Sequence, residues 1–276
     1  MSLAYLSCVT GTQSLWLGLV LLAGCGFEAM PSEEEMTGDP AMDPDDPSGQ
    51  PIVARSCTTG DSSLELCIDF EDTATLGGDG SGKGHNPVLD DALVTTTRDA
   101  ELAVQMSTQS RLQIGEHGDF DIKSNLTVSM WIDPSGLPTS GSFWMLDNNK
   151  QYALSLQPDG QVRCGLGTDT IDSVIPLPGG GWHHVACTYD RDRLKVYIDG
   201  SVAGCRQMRR EIAVDGSEGV AIGSNVGVGP VFSEQYVGAL DNIQIFSRTW
   251  TSGELCAASG GGFCVSGCPS FGGGGD

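Results

Sequence analysis

The sequence predicts an all-β domain built from two packed antiparallel sheets. Three observations carry that expectation: short runs that alternate between apolar and polar residues, glycines and Asp-Gly pairs between them, and no long stretch of helical period. The clearest runs are Trp182-His183-His184-Val185-Ala186-Cys187-Thr188-Tyr189-Asp190 and Leu194-Lys195-Val196-Tyr197-Ile198-Asp199-Gly200, joined by a charged turn. In the second, Leu194, Val196 and Ile198 share one face of a strand while Lys195, Tyr197 and Asp199 take the other, so one face is buried. Asp199-Gly200 supplies the positive φ angles of a two-residue primed turn, which returns the chain into a third strand over Ser201 to Gly204. These three strands form an antiparallel meander.

The other strands are expected at Leu64 to Phe70, Leu102 to Met106, Arg111 to Ile114, Leu126 to Ile132 and Phe143 to Leu146. They continue at Tyr152 to Leu156, Val162 to Leu166, Val220 to Ile222 and Ala239 to Phe246. In the first, Leu64, Leu66 and Ile68 form one face and Glu65, Cys67 and Asp69 the other. One short terminal helix is expected, because Thr251-Ser252-Gly253-Glu254 has capping-box spacing.

Before this body, no Asp, Glu, Lys or Arg precedes Glu28, and Leu15 to Ala23 is apolar apart from Gly18. The run is too short to span a bilayer comfortably. It ends in Leu22-Ala23-Gly24-Cys25, which resembles a bacterial lipobox, although no Lys or Arg precedes the apolar run. Residues 1–24 are therefore expected to be a lipoprotein signal peptide and Cys25 the lipidation site, through which the protein meets a membrane. Each buried methylene of such an anchor adds about 0.8 kcal/mol of membrane affinity. Gly26 in place of Asp implies transit to the outer membrane or cell surface. Residues 25–55 follow as a tether. Between Phe27 and Ala54 there are eight acids, five prolines and no base, the composition of an extended solvated stalk rather than of an acidic functional patch.

Several segments then carry a family resemblance in their order along the chain. They are Leu64 to Phe70, Asp79-Gly80-Ser81-Gly82, Leu126-Thr127-Val128-Ser129-Met130-Trp131-Ile132, Trp182 to Ala186, Tyr197 to Gly200, Ala221-Ile222-Gly223 and Gly238 to Arg248. Together they are similar to laminin-G-like, concanavalin A-type jelly-roll domains, over nearly all of the stretch from Ser56 to Cys256. The resemblance implies a two-sheet antiparallel jelly-roll sandwich at residues 56–259, in the manner of lipid-anchored relatives from Gram-negative bacteria. Residues 260–276 form a Gly- and Cys-rich tail, expected to be a disulfide-pinned loop with a loose end.

Beyond Cys8 and Cys25, eight cysteines remain: Cys57, Cys67, Cys164, Cys187, Cys205, Cys256, Cys264 and Cys268. An even number in an exported chain reads as disulfides. In the jelly-roll meander the strands around Cys164 and Cys187 follow one another, which implies a bridge between cross-strand neighbours. Cys57 is expected to pair with Cys67. Cys256, Cys264 and Cys268 lack the spacing of a metal knuckle, and His183 and His184, adjacent in a strand, point to opposite faces and cannot share an ion.

Catalysis is not expected. Relatives that hydrolyse glycans need paired carboxylates on one strand face, and the nearest approach, Asp69-Phe70-Glu71, has Cys67 where a further acid should stand. A structural Ca²⁺ is a possible cofactor, since the resemblance implies a site near the first and last strands, where Asp69, Glu71, Asp79 and Asp241 lie. Asp79 as a turn cap and Asp241 as a partner of exposed backbone is the other reading. For glycan binding the aromatic candidates are Trp144, Tyr152, Phe232 and Tyr236, while Trp131 and Trp182 fall in core-pattern strands. The chain thus reads as a non-catalytic binding module for glycan or envelope material, with a protein-interaction or structural envelope role as the alternative. Its 36 acidic against 14 basic residues, a formal charge of −22, exclude nucleic acid as a partner.

Overall fold

The structure, a computed structural model, describes residues 57, 60–149, 151–214, 216–226 and 232–269. The expected signal peptide, Cys25 and the tether lie outside them. In chain order the strands begin with β1 (Leu64–Ile68), β2 (Pro87–Asp91), β3 (Val94–Arg98), β4 (Glu101–Met106), β5 (Arg111–Ile114) and β6 (Asn125–Pro134). Next come β7 (Phe143–Asn148), β8 (Tyr152–Leu156), β9 (Val162–Leu166), β10 (Asp169–Asp172), β11 (His183–Asp190) and β12 (Arg193–Ile198). The last are β13 (Ser201–Gln207), β14 (Ala221–Ile222), β15 (Asn225–Val226), β16 (Phe232–Ser233) and β17 (Gly238–Phe246), followed by α1 (Ser252–Ala258).

Two large antiparallel sheets result, with β15 and β16 paired to each other as a separate two-stranded sheet. The first runs β13-β12-β11-β6-β17-β4-β3, with β1 also paired to β17, and the second runs β10-β9-β8-β7-β14-β5-β2. Side chains from both inner faces form the main core, among them Leu66, Ile68, Val128, Met130, Leu154, Val185, Ile222 and Ile245. This is the two-sheet jelly-roll sandwich the sequence predicts. Asp199 (φ 46°) and Gly200 (φ 73°) make the expected primed turn between β12 and β13.

A second apolar cluster lies on the opposite face of the first sheet, where Cys67, Ala186, Tyr197, Phe246, Trp250 and Leu255 pack under α1. The helix starts as its sequence demands: Thr251 Oγ1 accepts from Glu254 N, and Thr251 N donates to the Glu254 carboxylate. Coverage on both faces explains why every residue of β17 is buried, rather than every second one. β1 also departs from simple alternation. A register shift between Leu64 and Leu66 puts Leu64 with Cys67 in the second cluster, not with Leu66 and Ile68.

The sandwich closes along one side. Val174 N, just past β10, donates to Ala203 O of β13 at 2.8 Å. A Cβ on Gly204 would stand 2.7 Å from Asp172 O, so only glycine admits this approach. Here Cys164 of β9 bonds to Cys187 of β11. The pairing is the expected one, but the two strands belong to different sheets, so the bridge crosses the core and the two are not cross-strand neighbours. Inward parity on both strands brings the thiols together. Changing both to Ala releases a crosslink of sequence separation 23 and should lower stability by about 3 kcal/mol in urea unfolding. A loss under about 1 kcal/mol would show that the bridge contributes little.

The other disulfides are Cys57–Cys67, as expected, and Cys205–Cys268 and Cys256–Cys264, which pin the tail. Val202 N of β13 donates to Val265 O in that tail at 2.8 Å. The tail thereby covers backbone at a sheet edge that could otherwise pair with another chain.

Candidate binding groove

The solvent-facing side of the second sheet carries a groove, and cross-strand register defines it. One row across the strands is Asp172–Arg163–Ser155–Trp144, and the next is Thr170–Gly165–Ala153–Asp147–Ala221. The second row is mostly small, so the sheet surface dips there. A cavity of about 300 Å³ occupies the dip, lined by Trp144, Asp147, Ser155, Arg163 and Thr170 over a floor of Ala153 and Gly165. Asn225 and Val226 of β15 overhang one side.

Each wall is held in place. The Trp144 indole N–H donates to Glu234 Oε2 at 2.9 Å, and Trp144 N donates to Glu234 O at 3.2 Å. These bonds fix a half-buried ring beside the groove. Arg163 makes a two-pronged bond to Asp172, from Nε to Oδ1 at 2.6 Å and from Nη2 to Oδ2 at 2.8 Å. That bond raises the guanidinium pKa above its ordinary value, against the opposing effect of burial. A guanidinium has five N–H donors, so the fork leaves others to face the groove. Buried Asp147 accepts from Val226 N at 3.0 Å and so ties the overhang to β7.

The aromatic candidates separate clearly. Trp144 faces the groove, and Phe232 of β16 is half-buried with the Arg111 guanidinium 5.3 Å from its ring centre. Tyr152 and Tyr236 are not available for stacking. Their rings are in the core, with hydroxyls donating to Phe120 O and Ala239 O, both at 3.2 Å. Trp182 precedes β11 and is half-buried. Trp131, expected in the core, instead sits half-buried on the outer face of the first sheet. The Arg98 guanidinium lies 4.7 Å over its ring and His184 meets it edge-on at 5.4 Å.

The four acids expected to bind calcium do not converge. Among the described residues, none belongs to a group of three ligating side chains within 4.8 Å of one another. Asp79 caps a turn: its carboxylate accepts from the N–H groups of Cys67, Ser81 and His85 and from the Ser81 hydroxyl. Asp69 accepts from Glu71 N at 3.3 Å, and Glu71 from Leu102 N at 2.7 Å. Asp241 is buried and accepts from Arg98 Nε at 2.6 Å and from the backbone N–H of Asn242 at 2.7 Å, so it does bond backbone as expected, but in a buried site and beside a cation.

His183 and His184 do point apart. His183 Nδ1 lies 2.8 Å from Asp199 Oδ2, while His184 is buried with Nε2 3.3 Å from Ser129 Oγ. Burial lowers the His184 pKa to about 4. The folded state therefore resists a proton that the unfolded chain takes up near pH 6.5, so stability is lost as pH falls from that value toward 4. Asp241, which burial pushes up to about 6 against the pull of Arg98, gives the opposite slope over much of the same range. The effect is best read as a difference. Between pH 7 and pH 4 the intact protein should lose about 3 kcal/mol relative to His184→Leu in urea unfolding. Parallel pH curves for the two proteins would contradict this assignment.

Comparison with known proteins decides the family. Residues 106–256, more than half of the chain, match the laminin G family model described as the concanavalin A-like lectin/glucanases superfamily. The chain belongs to this family. No curated protein sequence matches it. Among solved structures, this concanavalin A-like chain is similar to domain 4 of AbnA, an extracellular arabinanase from Geobacillus stearothermophilus in complex with arabinotriose. Identity is 18%, the TM-score is 0.57, and the match covers 71% of this chain and 98% of that one. It also resembles the binding domain of Paraclostridial Mosquitocidal Protein 1 (14% identity, TM-score 0.56, 70% of this chain and 51% of that one). A botulinum neurotoxin type C structure, whose cell entry depends on interaction with two ganglioside molecules, matches at 15% identity and TM-score 0.56, over 72% and 51% of the chains. The concanavalin A-like match spans about half the length of each toxin chain.

Proposed function

We propose that this chain is a non-catalytic glycan-binding module whose ligand lies in the groove between Trp144 and Arg163. The observation that carries the reading is the pairing of a fixed aromatic wall with polar groups over a floor of Ala153 and Gly165. Sugars present apolar C–H faces and hydroxyl edges, which suit an indole on one side and Arg163, Ser155 and Thr170 on the other. The fold shared with an arabinanase domain seen with arabinotriose supports the same reading by analogy. Hydrolysis would need two carboxylates about the scissile bond, and among the described residues Asp147 alone lines the groove, already accepting from Val226 N.

A lipid on Cys25 would place this module at the cell surface, with residues 25–55 as its spacer. Metabolic labelling with a fatty-acid analogue tests that part: label on the intact chain and none on Cys25→Ser supports it. A glycan array probed with the purified chain tests the binding, with specific glycans retained by the intact protein and released by Trp144→Ala. Silence across the array would favour a protein partner for the same surface.

A further inference from the structure

Away from the groove, three ligating side chains converge at one end of the sandwich. His85 lies in the loop between β1 and β2, its side chain only 8% exposed and its ring 4.8 Å from that of Phe120. His117 begins the short 3-10 turn Gly118–Phe120 between β5 and β6, and the His85 and His117 ring centres are 4.5 Å apart. Asp119 sits on that turn, with Oδ2 3.0 Å from His85 Nε2 and 3.5 Å from His117 Nδ1. All three ligand atoms are within 4.8 Å of one another.

These spacings have a chemical meaning. Around a tetrahedral ion with bonds near 2.0–2.1 Å, ligand atoms stand about 3.4 Å apart, and the two distances to Asp119 lie on either side of that value. We propose that His85, His117 and Asp119 form a Zn²⁺ site that clips the loop after β1 to the turn before β6. Two imidazoles and one carboxylate suit a borderline ion, whereas Ca²⁺ and Mg²⁺ need oxygen ligands throughout. Three protein ligands leave a fourth position for water.

Both halves of the site are already anchored. His85 N donates to Asp79 Oδ2 at 2.9 Å, within the capped turn. On the other side Phe120 O accepts from the Tyr152 hydroxyl and from Asn148 Nδ2, both at 3.2 Å. Three local interactions must yield to the ion, the first being the 3.0 Å hydrogen bond between His85 Nε2 and Asp119 Oδ2, which bonds from both atoms to the metal would replace. His117 Nδ1 gives up the bond it accepts from Asp119 N at 3.2 Å, and Lys83 Nζ, 3.9 Å from Asp119 Oδ2, keeps its partner Glu65 instead. The His85–Asp119 and His117–Asp119 contacts are hydrogen bonds to ligating atoms, at 3.0 and 3.2 Å, and the Lys83 contact is a longer ion pair.

The test is Zn²⁺ titration calorimetry on the full chain, expressed without a polyhistidine tag and stripped with EDTA. One equivalent should bind at low micromolar concentration or tighter, with a rise in melting temperature that CaCl₂ and MgCl₂ do not produce. His117 is half exposed, so His117→Ala should keep the circular dichroism of the intact protein yet weaken binding at least tenfold. Asp119→Asn should behave alike. In Co²⁺-loaded protein the visible absorption of the low-coordinate ion should appear in the intact chain and vanish in His117→Ala. No saturable uptake by the intact chain, or equal affinity in His117→Ala, overturns the site. Ions held by the acidic residues or thiols elsewhere would survive His117→Ala and so count against it.

Discussion

Replacing Arg98 with Met should destabilise the domain by about 3–5 kcal/mol, roughly 10 °C in melting temperature. Arg98 is 6% exposed and touches four neighbours: Nε bonds Asp241 at 2.6 Å, the guanidinium stacks on Trp131 at 4.7 Å, and Asp99 and Glu101 lie at 3.4 Å. Met fills much of the same volume but leaves Asp241, 1% exposed, as a buried carboxyl without its cation. The cost should depend on pH with a defined sign. Without Arg98 the folded-state pKa of Asp241 rises further, while the unfolded chain ionises near pH 3.8, so the variant loses stability as pH rises through the intervening range. The double variant Arg98→Met/Asp241→Leu should recover most of the loss, because neither charge is then stranded. Equal destabilisation in the single and double variants would mean that packing on Trp131, rather than charge, sets the cost.

Trp144→Ala should weaken glycan binding at least about tenfold, the effect of removing a fixed aromatic wall from a small site. Trp144→Phe separates the two roles of the side chain. It keeps a stacking face but loses the N–H bond to Glu234, so its affinity should fall between the other two. Phe263 provides the control. It is 95% exposed in the tail beyond α1, and Phe263→Ala should bind as the intact protein does. A matching loss in that variant would indicate nonspecific contact with exposed aromatics.

How far these features could be read in the sequence follows from the period of a strand. β12 was legible because Leu194, Val196 and Ile198 alternate with Lys195 and Tyr197 in the sequence, even though β11 and much of β12 are buried on both faces, and α1 was legible because Thr251 and Glu254 stand at capping spacing. β2 and β3 were not. They are exposed, rich in Pro, Asp and Thr, and formed by pairing with β5 and β4 rather than by local pattern. Parity could have corrected the aromatic candidates: Tyr152 has the same parity as Leu154 and Leu156, which places its ring in the core, and Trp131 has that of Thr127 and Ser129, which turns it outward. The groove was beyond reach. Its walls are single residues on β7, β8, β9 and β10, joined only by register, and no local spacing brings Trp144 toward Arg163. His85, His117 and Asp119 were missed for a related reason, since the loop and turn that carry them meet only in the folded chain.

The most direct test of the glycan-binding account is amide and indole NMR mapping of the isotope-labelled chain during titration with a glycan retained on the array. The expected result is saturable shifts gathered at the Trp144 indole, Ala153, Gly165 and Thr170, with little change on the outer face of the first sheet. Shifts centred elsewhere, or none at millimolar glycan, would contradict it.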